Sequence, residues 1–155
     1  MIEFKEVSYL YGEKRPPVLE RLSLTIPDGQ YVALMGPNGC GKTTLIKHLN
    51  ALLLPSRGAV VVDGMDTRDP AGHRELRRRV GMVFQNPDSQ VVGMSVAEDV
   101  AFGLENLAVP TGEIAARVQA ALARVGMAES GPRAPFTLSG GEKRLVSLAG
   151  VLVMN

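Results

Sequence analysis

The segment that most limits the possible folds of this chain is residues 36–43, GPNGCGKT, which fits the pattern G-x-x-x-x-G-K-[ST]. A short apolar run at residues 30–35 precedes it, and apolar residues at helical spacing follow Lys42 as far as Leu52. This order predicts a strand, a glycine-rich loop and a helix. In such a loop successive N–H groups turn inward and the positive end of the helix faces the same way. The segment therefore favours phosphate binding over an ordinary glycine-rich turn.

The residue types in this loop each have a use in nucleotide binding. The ammonium group of Lys42 is expected to contact the β- and γ-phosphates, and the hydroxyl of Thr43 is expected to bind Mg²⁺, which prefers oxygen ligands. Contacts with the nucleotide are predicted for Gly36, Asn38, Gly39, Cys40, Gly41, Lys42, Thr43 and Thr44. Cys40 is open to two interpretations, a small residue that fills the loop or a thiol made reactive by the nearby helix end.

Composition excludes some functions. The 155 residues are 45% hydrophobic, which is enough for a compact domain with a core. The 17 basic and 16 acidic side chains leave a net charge of +1, so nucleic acid is not an expected partner. The amino terminus has no signal pattern, and a cytoplasmic location is expected. The longest apolar stretch, residues 145–154, is about half of what a bilayer-spanning helix needs, so a membrane role requires a partner.

Two-residue periodicity predicts an antiparallel β layer. Apolar and polar side chains alternate at residues 2–7 and 22–26. Residues 59–62 predict another strand with a turn at residues 63–64, and the apolar run 80–84 predicts a buried strand. With the loop and helix above, the chain is predicted to have an α/β fold, a P-loop NTPase core with an antiparallel β layer.

The second half of the chain predicts a small helical subdomain. Ser95 and Glu98 have the spacing of a capping box at the start of a helix. Residues 111–125 predict another helix, with one apolar face and a Glu113–Arg117 pair on the opposite face. We therefore expect a nucleotide-binding core, a helical subdomain and a final motif with its helix at residues 1–85, 86–137 and 138–155.

A second glycine motif, LSGGE, occupies residues 138–142 before an apolar helix. Ser139 and Glu142 again have capping-box spacing, so one interpretation is simply a capped helix. The other is a second phosphate-binding surface, because Ser139, Gly140 and Gly141 would present backbone N–H groups at a helix amino terminus.

The phosphate loop, Gln85 and the LSGGE motif follow one another in the order found in the ATP-binding-cassette (ABC) family, whose signature is L-S-G-G-[QE], and the chain resembles that family. The resemblance implies ATP and Mg²⁺ as cofactors. It implies a dimer with a second ATPase subunit, in which the signature of one subunit contacts the nucleotide held by the other. It assigns Gln85 to sensing the γ-phosphate and Mg²⁺, a catalytic and metal-contacting role beside Lys42. It also implies that Tyr11 stacks on adenine, with Tyr9 as the competing candidate.

Residues 84–90, 98–106 and 149–152 resemble more closely the energy-coupling-factor importers of cobalt, nickel and vitamins. This implies an ATPase subunit on the cytoplasmic face of the membrane, bound to an integral membrane subunit, and Gln90 becomes a candidate helper of the nucleotide-sensing loop. A DNA-repair ATPase of the same family is disfavoured, because only a short helical segment separates Gln85 from Ser139.

In that family the signature helix leads to an aspartate and a glutamate needed for hydrolysis, followed by a switch histidine, and the sequence ends at Asn155 before them. The resemblance therefore implies a partial domain without the C-terminal part of the core, deficient in hydrolysis. A non-catalytic fragment that retains ATP binding is the alternative. His48 and His73 are expected to be surface or packing residues. Leu145 replaces a usual arginine, which either weakens an interface contact or is tolerated.

Overall fold

The computed structural model describes residues 1–12, 14–84 and 91–154. It divides into two compact units, Met1–Val80 and Gly81–Asn155. In the described part of the chain, none of the helices has both the length and the apolar character needed to cross a membrane.

The first unit is built on a four-stranded antiparallel sheet with the strand order β2-β1-β3-β4. Its strands are β1 (Ile2–Tyr9), β2 (Leu19–Ile26), β3 (Arg57–Val62) and β4 (Met65–Asp66). Ile2 lies opposite both Ile26 and Val62, so β1 is the central strand of the β2-β1-β3 trio. The predicted antiparallel layer is confirmed, and the turn at residues 63–64 connects β3 to β4 as predicted.

The central strand contains a β-bulge at Glu6. Glu6 has a φ of 51°, and the register of β1 shifts around this residue both in its pairing with β2 and in its pairing with β3. Gly58 of β3 packs against this bulge, where an added Cβ would lie 2.3 Å from the carbonyl oxygen of Lys5. Only glycine fits at that approach. The sheet buries one apolar cluster, Phe4, Val7, Leu19, Ala51, Val60, Val62 and Leu76.

The described part of this unit also contains two α-helices, α1 (Lys42–His48) and α2 (His73–Arg79), and a short 3₁₀ turn at Pro70–Gly72. The expectation that the first helix continues to Leu52 is wrong. The N–H groups of Leu52 and Leu53 both donate to the carbonyl oxygen of Lys47, at 3.0 and 3.1 Å, and Ala51 has a φ of 55°. This left-handed closing turn ends the helix although the apolar spacing continues beyond it.

The predicted strands at residues 30–35 and 80–84 are also wrong, because neither segment forms a strand in the structure. Tyr31 is fully exposed and Met35 is 87% exposed, while Val83 is 40% exposed. A buried strand needs a neighbouring strand to pair with, and neither segment pairs with any of the four strands of the described sheet. The apolar composition is therefore present without the pairing that it predicts.

The described part of the second unit is helical, and the helix of the final motif lies in the same unit as the helices expected within residues 86–137. Its helices are α3 (Val96–Asn106), α4 (Thr111–Arg124) and α5 (Gly140–Leu152), with short 3₁₀ turns at Ala128–Ser130 and Pro135–Thr137. The capping box of α3 is confirmed by hydrogen bonds between Ser95 and Glu98, and the Glu113–Arg117 ion pair is present at 3.4 Å. Apolar faces of the three helices form one core, which includes Val96, Val100, Leu104, Val118, Leu122, Val146 and Ala149.

Candidate functional site

The loop at residues 36–43 depends on the backbone freedom of three glycines. Gly36, Gly39 and Gly41 have φ angles of 154°, 83° and 94°. An added Cβ at Gly36 would lie 2.8 Å from the sulfur of Cys40, and one at Gly41 would lie 3.1 Å from the carbonyl oxygen of Val18. Backbone angle and lack of space therefore both favour glycine at these two positions.

The ammonium group of Lys42 bends back over the loop. Its Nζ donates hydrogen bonds of 2.7 Å to the carbonyl oxygens of Gly36 and Pro37, and it lies 3.8 Å from the sulfur of Cys40. The positive charge is thereby held over the curved backbone of the loop. An anion seated on the loop would meet this ammonium group directly.

The amino-terminal end of α1 is open. Gly41 is its N-cap and supplies no side-chain hydrogen bond, and the first turn contains no acidic residue. Thr43 in that turn is exposed to solvent. Positive helix-end charge, a nearby ammonium group and an available hydroxyl are a donor set that suits a phosphate with a bound Mg²⁺ ion.

Tyr11 lies beside this helix. Its hydroxyl is 3.0 Å from Oγ1 of Thr44, and its side chain is 49% exposed. Tyr9 packs partly buried against the apolar core of the first unit, and burial raises the pKa of its phenol. Of the two tyrosines considered from the sequence, Tyr11 presents the more accessible ring.

His48 is a packing residue. Its side chain is fully buried, and its Nδ1 lies 2.7 Å from the carbonyl oxygen of Thr44. Burial lowers the pKa of its imidazole. His73 is also engaged locally, with Nε2 2.9 Å from the carbonyl oxygen of Thr67. Both agree with the expectation that these histidines are surface or packing residues.

In the second unit, the LSGGE motif begins α5 with a complete capping box. Ser139 Oγ accepts a hydrogen bond of 3.3 Å from the N–H of Glu142, and the carboxylate of Glu142 accepts one of 2.7 Å from the N–H of Ser139. Arg133 donates to the same carboxylate at 2.7 Å. The N–H of Ser139, with the guanidinium of Arg133 next in effect, lowers the pKa of Glu142 to about 2.

The two glycines of this motif have no packing partner that explains them. Gly140 and Gly141 are exposed, and an added Cβ at either position would meet nothing within 4 Å. Neither has a positive φ. The capping box alone would therefore tolerate alanine at both positions, so the glycines fit the interpretation that something outside this unit approaches the helix end closely.

Five further residues were singled out from the sequence, and the structure describes three of them, Asn38, Cys40 and Leu145. Gln85 and Gln90 lie outside the described residues. Asn38 and Cys40 are exposed in the phosphate loop. Leu145 is 39% exposed on α5, which leaves both of its interpretations open.

Three contacts of the site were not anticipated from the sequence, the Tyr11–Thr44 hydrogen bond and the two ring contacts of Tyr9. The ring centroid of Tyr9 lies 5.0 Å from that of Tyr11 and 4.9 Å from that of His48, edge-on in both cases. Their spacings carry only a weak signal: Thr44 and His48 are one helical turn apart, whereas Tyr11 lies two residues after Tyr9, beyond the end of β1. Which strand end faces which helix face is a tertiary fact that spacing does not contain.

A glycine loop closed over by its own lysine and followed at once by a helix with an open end places the chain in the P-loop NTPase class of α/β proteins. The family model described as ABC transporter matches residues 19–155. Because that match covers most of the sequence, the chain belongs to the ABC transporter family.

Curated relatives narrow the resemblance within the family. The chain is 56% identical to the cobalt import ATP-binding protein CbiO of Syntrophus aciditrophicus, over 99% of this chain and 55% of the relative. It is 52% identical to the energy-coupling factor transporter ATP-binding protein EcfA1 of Symbiobacterium thermophilum, over 96% of this chain and 54% of the relative. The chain thus spans about half the length of the curated relatives it matches.

Solved structures agree on the fold. The cbiO1 protein of Clostridium perfringens, described as part of the ABC transporter complex cbiONQ, superposes with a TM-score of 0.87 at 37% identity, covering 99% of this chain and 61% of that one. The dimeric bacterial ABC transporter cassette MJ0796 superposes with a TM-score of 0.87 at 29% identity, covering all of this chain and 70% of that one.

Proposed function

We propose that this chain is the ATP-binding part of the subunit that energises an ABC importer of metal ions or vitamins. The observation that carries the proposal is the phosphate loop, in which the Lys42 ammonium group lies over a glycine-shaped backbone at an uncapped helix end. The relatives support the importer, since one is a cobalt import protein and the other belongs to an energy-coupling factor transporter, and the first of them supports a metal ion as the substrate.

ATP with Mg²⁺ is the ligand that suits the loop. Lys42 would exchange its carbonyl partners for the β- and γ-phosphates, because an ammonium group gains more from an anion than from a neutral oxygen. Thr43 would give its hydroxyl to Mg²⁺, which polarises the phosphates when bound. The contacts with the phosphates would come from Gly36, Asn38, Gly39, Cys40, Gly41 and Thr44. Tyr11 would stack on adenine, and Gln85 would sense the γ-phosphate and Mg²⁺.

A second ATPase subunit and an integral membrane subunit are the proposed partners. Ser139, Gly140 and Gly141 would contact the nucleotide held by the other ATPase subunit, since their exposure and the unused space beside both glycines permit close approach. The dimeric cassette among the structural relatives supports the first partner. Association with the membrane subunit would place the protein on the cytoplasmic face.

The test is ATP binding by the wild-type chain and by Lys42→Ala in the presence of Mg²⁺, measured by calorimetry. A hydrogen bond to a charged group contributes about 1.5–3 kcal/mol, so Lys42→Ala is expected to lower the affinity for ATP at least ~10-fold. Lys47→Ala, which removes the same charge from the last turn of the same helix, is the matched control and keeps the wild-type affinity. Equal affinities for the wild type and Lys42→Ala would refute the proposal. Phosphate release from the same samples separates binding from hydrolysis.

A further inference from the structure

Four residues, Tyr9, Tyr11, Thr44 and His48, form a closed circuit of contacts. Thr44 takes part twice, through its hydroxyl, which lies 3.0 Å from the hydroxyl of Tyr11, and through its carbonyl oxygen, which lies 2.7 Å from Nδ1 of His48. The ring of Tyr9 completes the circuit, with edge-on contacts at centroid distances of 5.0 Å to Tyr11 and 4.9 Å to His48. The circuit joins the end of β1 to helix α1.

The members of this circuit differ sharply in exposure. His48 is fully buried and Thr44 is 5% exposed, while Tyr11 is 49% exposed. The buried members have well-defined surroundings, because interior side chains are closely packed. Edge-to-face aromatic contacts are directional and add to the burial of the rings. The accessible ring of Tyr11 is therefore in contact with closely packed residues, and one of them, Thr44, belongs to α1.

We infer that His48 and Tyr9 are positioning residues for the base of the nucleotide. This inference rests on the proposed function, in which Tyr11 stacks on adenine. Stacking requires the ring of Tyr11 to lie at a fixed distance from the phosphates, and the ring contacts supply this by linking Tyr11 through Tyr9 to His48, which lies on the helix that follows the loop. His48 is fully buried and would touch no part of the nucleotide. It acts by holding the ring of Tyr9, which in turn holds the ring of Tyr11.

The role of the rings is separable from the role of the phosphate loop. Inorganic tripolyphosphate offers the same kind of anion as ATP but no base, so only ATP gains from the position of Tyr11. The measured quantity is the ratio of the ATP affinity to the tripolyphosphate affinity, both with Mg²⁺ and both on the same sample. A fraction of unfolded protein lowers the apparent binding of both ligands and cancels in the ratio.

Two matched pairs of variants test the circuit from its strand side and from its helix side. Tyr9→Leu and His48→Gln remove a ring, whereas Tyr9→Phe and His48→Phe keep one. The first two are expected to lower the ratio ~5-fold or more, as base–aromatic contacts are worth at least that. The two phenylalanine variants are expected to stay within about 2-fold of the wild type.

Each outcome decides the matter. A wild-type chain that fails to bind ATP at all refutes the proposed function. A wild-type chain that binds ATP, combined with a wild-type ratio in Tyr9→Leu and His48→Gln, leaves the proposed function standing and overturns only the positioning role. Equal losses within both pairs also overturn it, because general disturbance of the core would then explain the effect.

Discussion

The hydroxyl of Tyr11 lies 3.0 Å from Oγ1 of Thr44, so the accessible aromatic ring that follows β1 is hydrogen-bonded to the helix that begins at the phosphate loop. This hydrogen bond joins two residues with different proposed ligand contacts. Tyr11 is proposed to contact the adenine ring of ATP, and Thr44 is proposed to contact its phosphates. The hydroxyl and the ring of Tyr11 are therefore expected to contribute differently to ATP affinity.

Tyr11→Ala is expected to lower the affinity for ATP by about 5-fold to 150-fold, because base stacking on an aromatic side chain contributes roughly 1–3 kcal/mol. Tyr11→Phe keeps the ring and loses only the bond to Thr44, so it is expected to retain most of the affinity. Calorimetric titration with ATP and Mg²⁺ measures both. Tyr31→Ala is the control, since Tyr31 is fully exposed. If Tyr11→Ala binds ATP as tightly as the wild type, Tyr11 is not the base platform.

Gly140→Ala is expected to leave the fold intact while weakening ATP-dependent dimerisation. An added Cβ meets nothing within 4 Å at this position, and alanine is about 1 kcal/mol better than glycine in a helix, so thermal stability is expected to stay equal or rise. Gly112→Ala in the first turn of α4 is the matched control, because that position is equally open. Sedimentation with ATP measures the dimer. Unchanged dimerisation in Gly140→Ala would contradict the proposed contact.

The capping box of α5 predicts a specific acid dependence. Glu142 has a pKa lowered from 4.5 to about 2, first by the N–H of Ser139 and then by Arg133. Its folded-state pKa is below its unfolded value, so its stabilising effect is complete above about pH 4.5 and is lost as the pH falls towards 2. Glu142→Gln is therefore expected to be less stable than the wild type near neutral pH and equally stable near pH 2. Urea unfolding across this range measures the difference, and a constant difference would contradict the assignment.

Local signals in the sequence predict much of this fold. Alternation predicts β1 and β2, and capping-box spacing predicts the start of α3 at Ser95 and of α5 at Ser139. These succeed because the bonds involved join residues close in the chain, so residue type and spacing are sufficient.

The wrong predictions, two strands and the end of α1, have a different physical cause. The runs at residues 30–35 and 80–84 have strand composition, but a strand exists only where another strand pairs with it, and composition does not say whether one does. Helix α1 ends at His48 because of a left-handed turn at Ala51, a conformation that alanine rarely adopts and that the sequence does not announce. Residue type and spacing predict the glycine loop at residues 36–43 and the helix that begins at Lys42, and the phosphate contacts of the loop stay a prediction. The ring contacts of Tyr9 with Tyr11 and His48 depend on tertiary packing.

The central claim is that residues 36–43 bind the phosphates of ATP, and the most direct measurement is the change in backbone amide NMR signals on titration with ATP and Mg²⁺. The largest shifts are expected at the amides of Gly36, Gly39, Gly41 and Lys42, with saturation at a single affinity. Tripolyphosphate is expected to shift the same amides. Saturable shifts that leave these four amides unmoved, or the absence of any saturable shift, would show that residues 36–43 do not bind the phosphates of ATP.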